Sequence, residues 1–238
     1  GRRNVDKICG VLESMGAVLD GLTRGMDLAV LDAGWGEQDG RMLSFLPQAD
    51  TLGAVLPNNL PGVHTLWLPA IPLKMPLALR PGSHEPWTPL RIARAFMATG
   101  VPPEAFGYYP SDHDGSTEIL LRCGRAMVFG GDDTVGPWRA DPRVEIHGAG
   151  RSKLLLLADG ADDWKSHVDL MVASIADNGG RSCINASGVW TCAHGAEVAG
   201  ALAERLAAIE PRPLDDPQAA LAAFPEPRVA QAISAHID

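Results

Sequence analysis

At about 150 residues per domain, the 238 residues of this chain make one large or two small domains, enough to bury a core. Hydrophobic residues at 46% and charged residues at 21% exclude the low-hydrophobicity profile of disorder. Twenty basic against 29 acidic residues leave a net charge of −9 with no Lys/Arg cluster, which excludes nucleic acid and anionic membranes as partners. Glycine (26) and proline (19) exceed their usual shares, so short elements joined by many turns are expected. The first residue is Gly1 rather than Met, and the expectation is a processed or excised piece of a longer protein.

Residues 5–22 carry Ile8, Leu12, Met15 and Leu19 at helical spacing and read as one amphipathic helix, followed by a Gly- and Asp-rich loop over 32–40. The apolar run 52–56, closed by Pro57, reads as a strand. Asn58-Asn59-Leu60-Pro61 then turns into a helix over 62–71. A second strand, 77–80, is stopped by Pro81-Gly82, and Thr88-Pro89 caps a helix that ends at Gly100. Strands over 106–109, 126–129 and 144–146, with a helix over 116–123, continue the alternation. The fold class is therefore α/β, a doubly wound parallel sheet with helices on both faces. The most apolar stretch, 66–79, is broken by Pro69, Pro72, Lys74 and Pro76 and reads as buried, not membrane-spanning.

After Gly150 the pattern changes, and Gly148 marks a boundary between domains 1–148 and 149–238. Residues 154–157 are four leucines and read as a fully buried strand. Trp164, Val168, Met171, Val172 and Ile175 form a helical stripe capped by Asp162 or Asp163. A loop over 178–183, a strand over 186–191 and a helix with Val198, Leu202, Leu206 and Ile209 on one face follow. A proline-rich break over 211–217 separates a last short helix.

Four cysteines, Cys9, Cys123, Cys183 and Cys192, form no Cys-x-x-Cys pair, which implies reduced thiols and a cytoplasmic setting. Cys192 and His194 read as a buried cysteine beside a surface histidine, short of a zinc set. Cys183 follows Gly179-Gly180 and neighbours Arg181 between a helix end and a strand. It is either a reactive thiol or a small core residue, and the paired glycines favour the first. Asn59 is a turn asparagine or a donor to a developing oxyanion. The segment 129–136, Phe-Gly-Gly-Asp-Asp-Thr-Val-Gly, follows a strand where a doubly wound fold receives a pyrophosphate, although Asp132 and Asp133 oppose phosphate unless turned away. Arg80 is a solvated cation or reaches a ribose or phosphate. Asp112-His113-Asp114-Gly115 reads as a polar turn more than a metal loop. His147, at the end of the fifth strand, is a base or a satisfied rim histidine.

Taken in order, these segments resemble the aldehyde dehydrogenase superfamily. Residues 52–61, ending Pro57-Asn58-Asn59-Leu60-Pro61, are similar to its strand and Pro-Trp-Asn-Phe-Pro segment. Arg80-Pro81-Gly82-Ser83-His84-Glu85-Pro86 is similar to Lys-Pro-Ser-Glu-Gln-Thr-Pro, residues 129–136 to Phe-Thr-Gly-Ser-Thr-Glu-Val-Gly, and Asn178-Gly179-Gly180-Arg181-Ser182-Cys183 to Asn-Gln-Gly-Gln-x-Cys. The resemblance implies Cys183 as thiol nucleophile, Asn59 as oxyanion donor and a Rossmann-like cofactor domain. Leu56, Pro57, Arg80, Gly82 and Ser83 would line its first two strand ends, and Gly115, Phe129, Gly131, Asp132 and Gly136 the later turns. His147-Gly148-Ala149-Gly150-Arg151 stands where the family has Glu-Leu-Gly-Gly-Lys, so His147 replaces the glutamate that activates water. An acyl-CoA reductase-like reaction, with coenzyme A as acyl acceptor, is the corresponding variant. Ser83, in place of a ribose-binding glutamate, makes NADP as suitable as NAD. The implied partner is a small aldehyde or acyl-CoA. The family chain is about twice as long, so residues 149–238 would be only the beginning of a second, α/β catalytic domain, and homo-oligomers would need the full length. A catalytically degenerate nucleotide-binding member, or an inactive fragment, is the alternative.

Overall fold

The computed structural model describes residues 2–213, 215–221, 224 and 226–237. The chain divides into two compact units, Gly1–Gly148 and Ala149–Asp238. The first unit opens with α1 (Arg2–Glu13) and α2 (Met15–Thr23), two helices where periodicity predicts one. Ser14 separates them with φ −95° and ψ 11°, outside helical geometry, at a Ser-x-Gly sequence of low helix propensity. After α3 (Leu28–Ala33), β1 (Trp35–Gln38) and β2 (Arg41–Ser44) form an antiparallel hairpin across the predicted loop. Its turn residues Asp39 and Gly40 have φ of 51° and 72°, the left-handed pair that a two-residue hairpin turn demands. The Asp-Gly dipeptide is the signal for it.

Five strands follow: β3 (Leu52–Val55), β4 (Leu77–Arg80), β5 (Phe106–Tyr108), β6 (Arg125–Phe129) and β7 (Val144–His147). They form one parallel sheet in the order β5-β4-β3-β6-β7. Alternate residues feed opposite cores. Ala54, Leu77, Leu79, Met127 and Phe129 join Ile8, Trp67 and Leu68 on one face. Val55, Ala78, Ala126 and Val128 join Ile119, Leu120 and Val135 on the other. Both faces are buried, as parallel sheets require, so the strands read as continuous apolar runs in sequence.

Between β3 and β4 the chain makes two 3-10 turns, Pro61–Leu66 and Leu68–Ala70, instead of the predicted α-helix over 62–71. Pro69 and Pro72 remove the amides an α-helix would need, and the proline ring clashes with the preceding turn. Helix α4 (Trp87–Ala98) is entered through Pro86, and the Glu85 Oε1 accepts the Thr88 amide at 3.1 Å, so Glu85 does the capping assigned to Thr88-Pro89. Helix α5 (His113–Arg122) starts earlier than predicted because the Asp112 carboxylate accepts the Gly115 amide at 3.1 Å. Helix α5 approaches β3 closely at Gly53, where a Cβ would stand 2.8 Å from Ile119 Cγ2. A short helix, α6 (Asp132–Val135), follows β6.

In the second unit, β8 (Leu154–Leu156) and β9 (Val189–Thr191) form a two-stranded parallel sheet with α7 (Ala158–Asp162), α8 (Val168–Ala176) and α9 (Gly195–Ala207). Met171, Val198 and Leu202 pack against Leu154, Leu156 and Val189 on one face. The other face is open: Leu155, Leu157 and Trp190 are 68%, 70% and 64% exposed. The four leucines are thus not a fully buried strand, because helices cover only one side. Neither Asp162 nor Asp163 caps α8 by its side chain; a 3-10 turn, Trp164–His167, leads into it, and the Asp163 carboxylate accepts the Ser166 hydroxyl instead. The predicted break over 211–217 includes Leu214, which lies outside the described residues, and α10 (Pro227–Ser234) follows. Among the described residues no helix is long and apolar enough to cross a membrane.

Candidate functional site

The first unit places several of the expected residues at the carboxyl ends of its strands. Strand order reverses between β3 and β6, and in open α/β sheets ligands enter the crevice at such a switch point. Leu56 and Phe129 follow the paired Val55 and Val128 directly, so both stand at that reversal. The buried Leu56 donates its amide to the Arg80 carbonyl at 2.9 Å, tying the ends of β3 and β4 together. Gly82 lies under the next turn: a Cβ there would be 2.6 Å from the Pro57 carbonyl oxygen and 2.3 Å from Asn58 Oδ1. Asn58 Oδ1 accepts the His84 amide at 2.8 Å, a clamp between the two loops that sequence reasoning passed over in favour of Asn59. Asn59 itself is half-buried beside it, and Ser83 is exposed.

Arg80 Nη1 donates to the Pro81 carbonyl at 3.0 Å, while its buried Nε has no hydrogen-bond partner among the described residues. Gly131 precedes α6 with open space where a Cβ would be, and Gly136 ends that helix by donating its amide to the Asp132 carbonyl. The Asp132 carboxylate is engaged by Arg139 at 2.6 Å, which offsets its opposition to phosphate. His147, the last residue of β7, stacks on Phe129 with centroids 4.3 Å apart and rings 9° from parallel. Its Nε2 lies 3.0 Å from Glu145 Oε1. Gly115 belongs to the first turn of α5, where a Cβ would meet Ser111 Oγ at 2.4 Å; packing alone calls for a glycine there.

In the second unit Cys183 is exposed on the loop after α8, and sequence explains how. Asn178, Gly179 and Gly180 all have positive φ (57°, 66° and 71°), a left-handed run that glycines adopt without strain and that turns the chain back at the helix end. Gly150 is then required: a Cβ on it would lie 1.5 Å from the Cys183 carbonyl oxygen, so the Cys183 peptide rests against the Gly150 backbone. Asn185 was not singled out from sequence. Its Oδ1 accepts the Ser182 amide at 2.7 Å, and its Nδ2 donates to the Ser174 and Asp177 carbonyls, both at 3.1 Å. The turn preference of asparagine is the signal that marks it.

The remaining thiols differ. Cys123 is buried, which pushes its thiol pKa up and keeps it protonated and inert. Cys9 is exposed, and so is Cys192, against the expectation of a buried residue; His194 beside it lies 3.6 Å from Glu197. Among the described residues no cluster of three or more His, Cys, Asp or Glu could hold a metal ion.

The rim of the first unit fits a phosphate-bearing nucleotide: a strand-order reversal, a buried Arg80 Nε without a partner among the described residues, an open Gly131 and an Asp132 engaged by arginine. Among solved structures, the fold is that of aldehyde dehydrogenases. The aldehyde dehydrogenase KauB from Pseudomonas aeruginosa superposes with a TM-score of 0.65 at 22% identity, over 79% of this chain and 40% of that one. A putative methylmalonate-semialdehyde dehydrogenase from Sinorhizobium meliloti 1021, complexed with NAD, matches with a TM-score of 0.65 at 20% identity, over 80% and 41%. An aldehyde dehydrogenase from Brucella melitensis biovar abortus 2308 gives 0.71 at 19%, over 85% and 44%. The chain thus spans about two fifths of the length of these structures. No protein-family model and no curated protein matches it.

Proposed function

We propose that this chain carries the cofactor-binding unit and the nucleophile of an NAD- or NADP-dependent oxidoreductase acting on an aldehyde or an acyl thioester. The observation that carries the reading is the doubly wound sheet whose switch point is bordered by Leu56 and Phe129, with Pro57, Arg80 and Gly82 in the adjoining loops, in a chain that also presents an exposed, braced Cys183. Pro57, Arg80, Gly82, Gly131 and Gly136 would hold the cofactor, which supplies hydride acceptance in the aldehyde direction and hydride donation in the reverse. Arg80 supplies the cation. Glu85, the nearest carboxylate in the same loop, is committed to the Thr88 amide, and Ser83 carries no charge, so a 2′-phosphate meets no repulsion there and NADP is as well suited as NAD.

The Cys183 thiolate adds to the carbonyl carbon, the oxygen gains the charge, and the Cys183 amide is the donor proposed for it. Loss of hydride from carbon leaves a thioester on Cys183. Release of that acyl group is where this chain departs from the dehydrogenases it resembles. His147 stands in place of a carboxylate base, its ring stacked on Phe129 and its Nε2 beside Glu145. Coenzyme A is then the acyl acceptor proposed ahead of water. The same feature favours a second reading, a nucleotide-binding member without turnover.

The test uses the protein in its full length. Wild type should reduce NAD or NADP with an aldehyde, faster with coenzyme A present, and Cys183→Ala should abolish it; full activity in that variant refutes the assignment. Calorimetric binding of NADP or NAD without any aldehyde- or acyl-CoA-linked absorbance change selects the second reading.

A further inference from the structure

The loop that carries Cys183 ends on a side chain that no part of the proposed chemistry uses. Ser182 to Asn185 is a tight turn with Cys183 and Ile184 at its two central positions. The Asn185 amide donates to the Ser182 carbonyl at 3.0 Å, and the Ser182 amide donates back to Asn185 Oδ1 at 2.7 Å, so the turn is closed twice by one residue. Asn185 Nδ2 reaches out of the turn to α8. Helix α8 ends at Ala176, and the 3-10 turn Asp177–Gly180 follows it, so the Ser174 and Asp177 carbonyls both lie at the helix end. Both carbonyls receive Asn185 Nδ2 at 3.1 Å, and the Ser174 carbonyl also receives the Ala186 amide at 2.9 Å. The Cys183 turn thereby serves as the C-terminal cap of α8, with the Cys183 peptide seated against Gly150 on another side. The Cys183 and Ile184 amides donate to nothing among the described residues, which leaves two backbone donors beside the thiol.

We propose that Asn185 is the positioning residue of the nucleophile: through three side-chain hydrogen bonds it locks the Ser182–Asn185 turn onto the end of α8, and so sets where the Cys183 thiol and the Cys183 and Ile184 amides are held. The inference rests on the reading of Cys183 as nucleophile, and it has a chemical reason. A thiol on an exposed loop samples many positions, whereas attack on a carbonyl needs one, and misplacement of a reacting group by about 1 Å costs about a hundredfold in rate. Asparagine alone among small side chains supplies the acceptor for Ser182 and the two-proton donor for Ser174 and Asp177 at once. Aspartate keeps the first and loses the second, while placing a negative charge two residues from the thiolate.

The test reads Cys183 directly. In the full chain, wild type, Asn185→Ala and Asn185→Asp are alkylated with iodoacetamide across pH 6 to 10, and each cysteine is followed separately by peptide mass spectrometry. Loss of the lock should change the Cys183 profile in both variants, and most in Asn185→Asp, which places a carboxylate near the sulfur. The profiles of exposed Cys9 and Cys192 should stay in place, and Cys123 should stay unreactive as a sign that the first unit remains folded. In the full-length enzyme kcat for hydride transfer should fall about a hundredfold in Asn185→Ala, with KM for the cofactor unchanged. A Cys183 profile identical in all three proteins overturns the proposal. If Asn185→Ala alone exposes Cys123 or loses its melting transition, Asn185→Asp decides in the same way. A shifted Cys183 profile in a protein that transfers no hydride supports the lock and refutes the dehydrogenase reading, so the two fail separately.

Discussion

Acidification should destabilise this protein through one buried histidine. His64 lies in the 3-10 turn after β3, 2% exposed, and accepts the Trp67 indole N–H on Nδ1 at 3.1 Å. Burial holds its pKa down from 6.5 to about 4. A proton on Nδ1 would also set one N–H against another, so the native state favours the neutral ring twice over. The native pKa lies below that of the unfolded chain. Above pH 6.5 both states are neutral and the contribution is complete. As pH falls from 6.5 towards 4, the unfolded chain takes up a proton the native protein refuses, and unfolding becomes easier. The slope approaches about 1.4 kcal/mol per pH unit, and the total loss saturates near 3 kcal/mol below pH 4. That is a large share of the 5–15 kcal/mol typical of a domain. Urea unfolding followed by tryptophan fluorescence at pH 7, 5.5 and 4.5 measures it in wild type and His64→Gln. Carboxylates titrate in both proteins and cancel in the difference. Wild type should lose about 2 kcal/mol more than the variant between pH 7 and 4.5; parallel pH profiles would refute a neutral buried His64.

Three backbone approaches give further predictions. Gly82→Ala would force a methyl to within 2.6 Å of the Pro57 carbonyl, costing about 1–3 kcal/mol and shifting the rim of the proposed cofactor crevice; calorimetry should show weakened NADP binding. Gly150→Ala places a Cβ 1.5 Å from the Cys183 carbonyl oxygen, so the loop must move, and hydrogen exchange over 182–186 should rise while β3 to β7 keep their protection. Gly53→Ala puts a methyl 2.8 Å from Ile119 Cγ2 and 3.0 Å from Cys123 Sγ. It should lower the melting temperature and bring Cys123 into reach of alkylating reagents, with little effect on Cys183.

Elements whose ends carry their own stop signal were legible. Strand β4 has the predicted bounds because Pro81-Gly82 ends it, β3 stops one residue short of the predicted end before Pro57, and β6 ends at Phe129 as predicted, before Gly130-Gly131, while starting one residue earlier. Where chain neighbours did not decide, local reading failed. Residues 62–71 read as a helix because the Asn58–Pro61 turn leads into them, but Pro69 and the His64–Trp67 pair suit a 3-10 path. The hairpin over β1 and β2 was overlooked among polar residues despite its Asp39-Gly40 turn.

By itself, then, the sequence determined the α/β class, the run of parallel strands and the segments that carry Cys183, Asn59, Arg80 and the glycines, because propensity, turn chemistry and apolar runs act over a few residues. Tertiary structure decided what depends on neighbours far along the chain. It set the strand order that makes β3 and β6 the switch point, and it left Leu155 and Trp190 bare because only one face of β8 and β9 is covered. It also made Gly82 and Gly150 obligatory through backbones lying 25 and 33 positions away, and bound Asn185 to the end of α8. A side chain's neighbours 11 or more residues off leave no mark on local pattern, since the free energy that selects them appears only when the chain closes on itself.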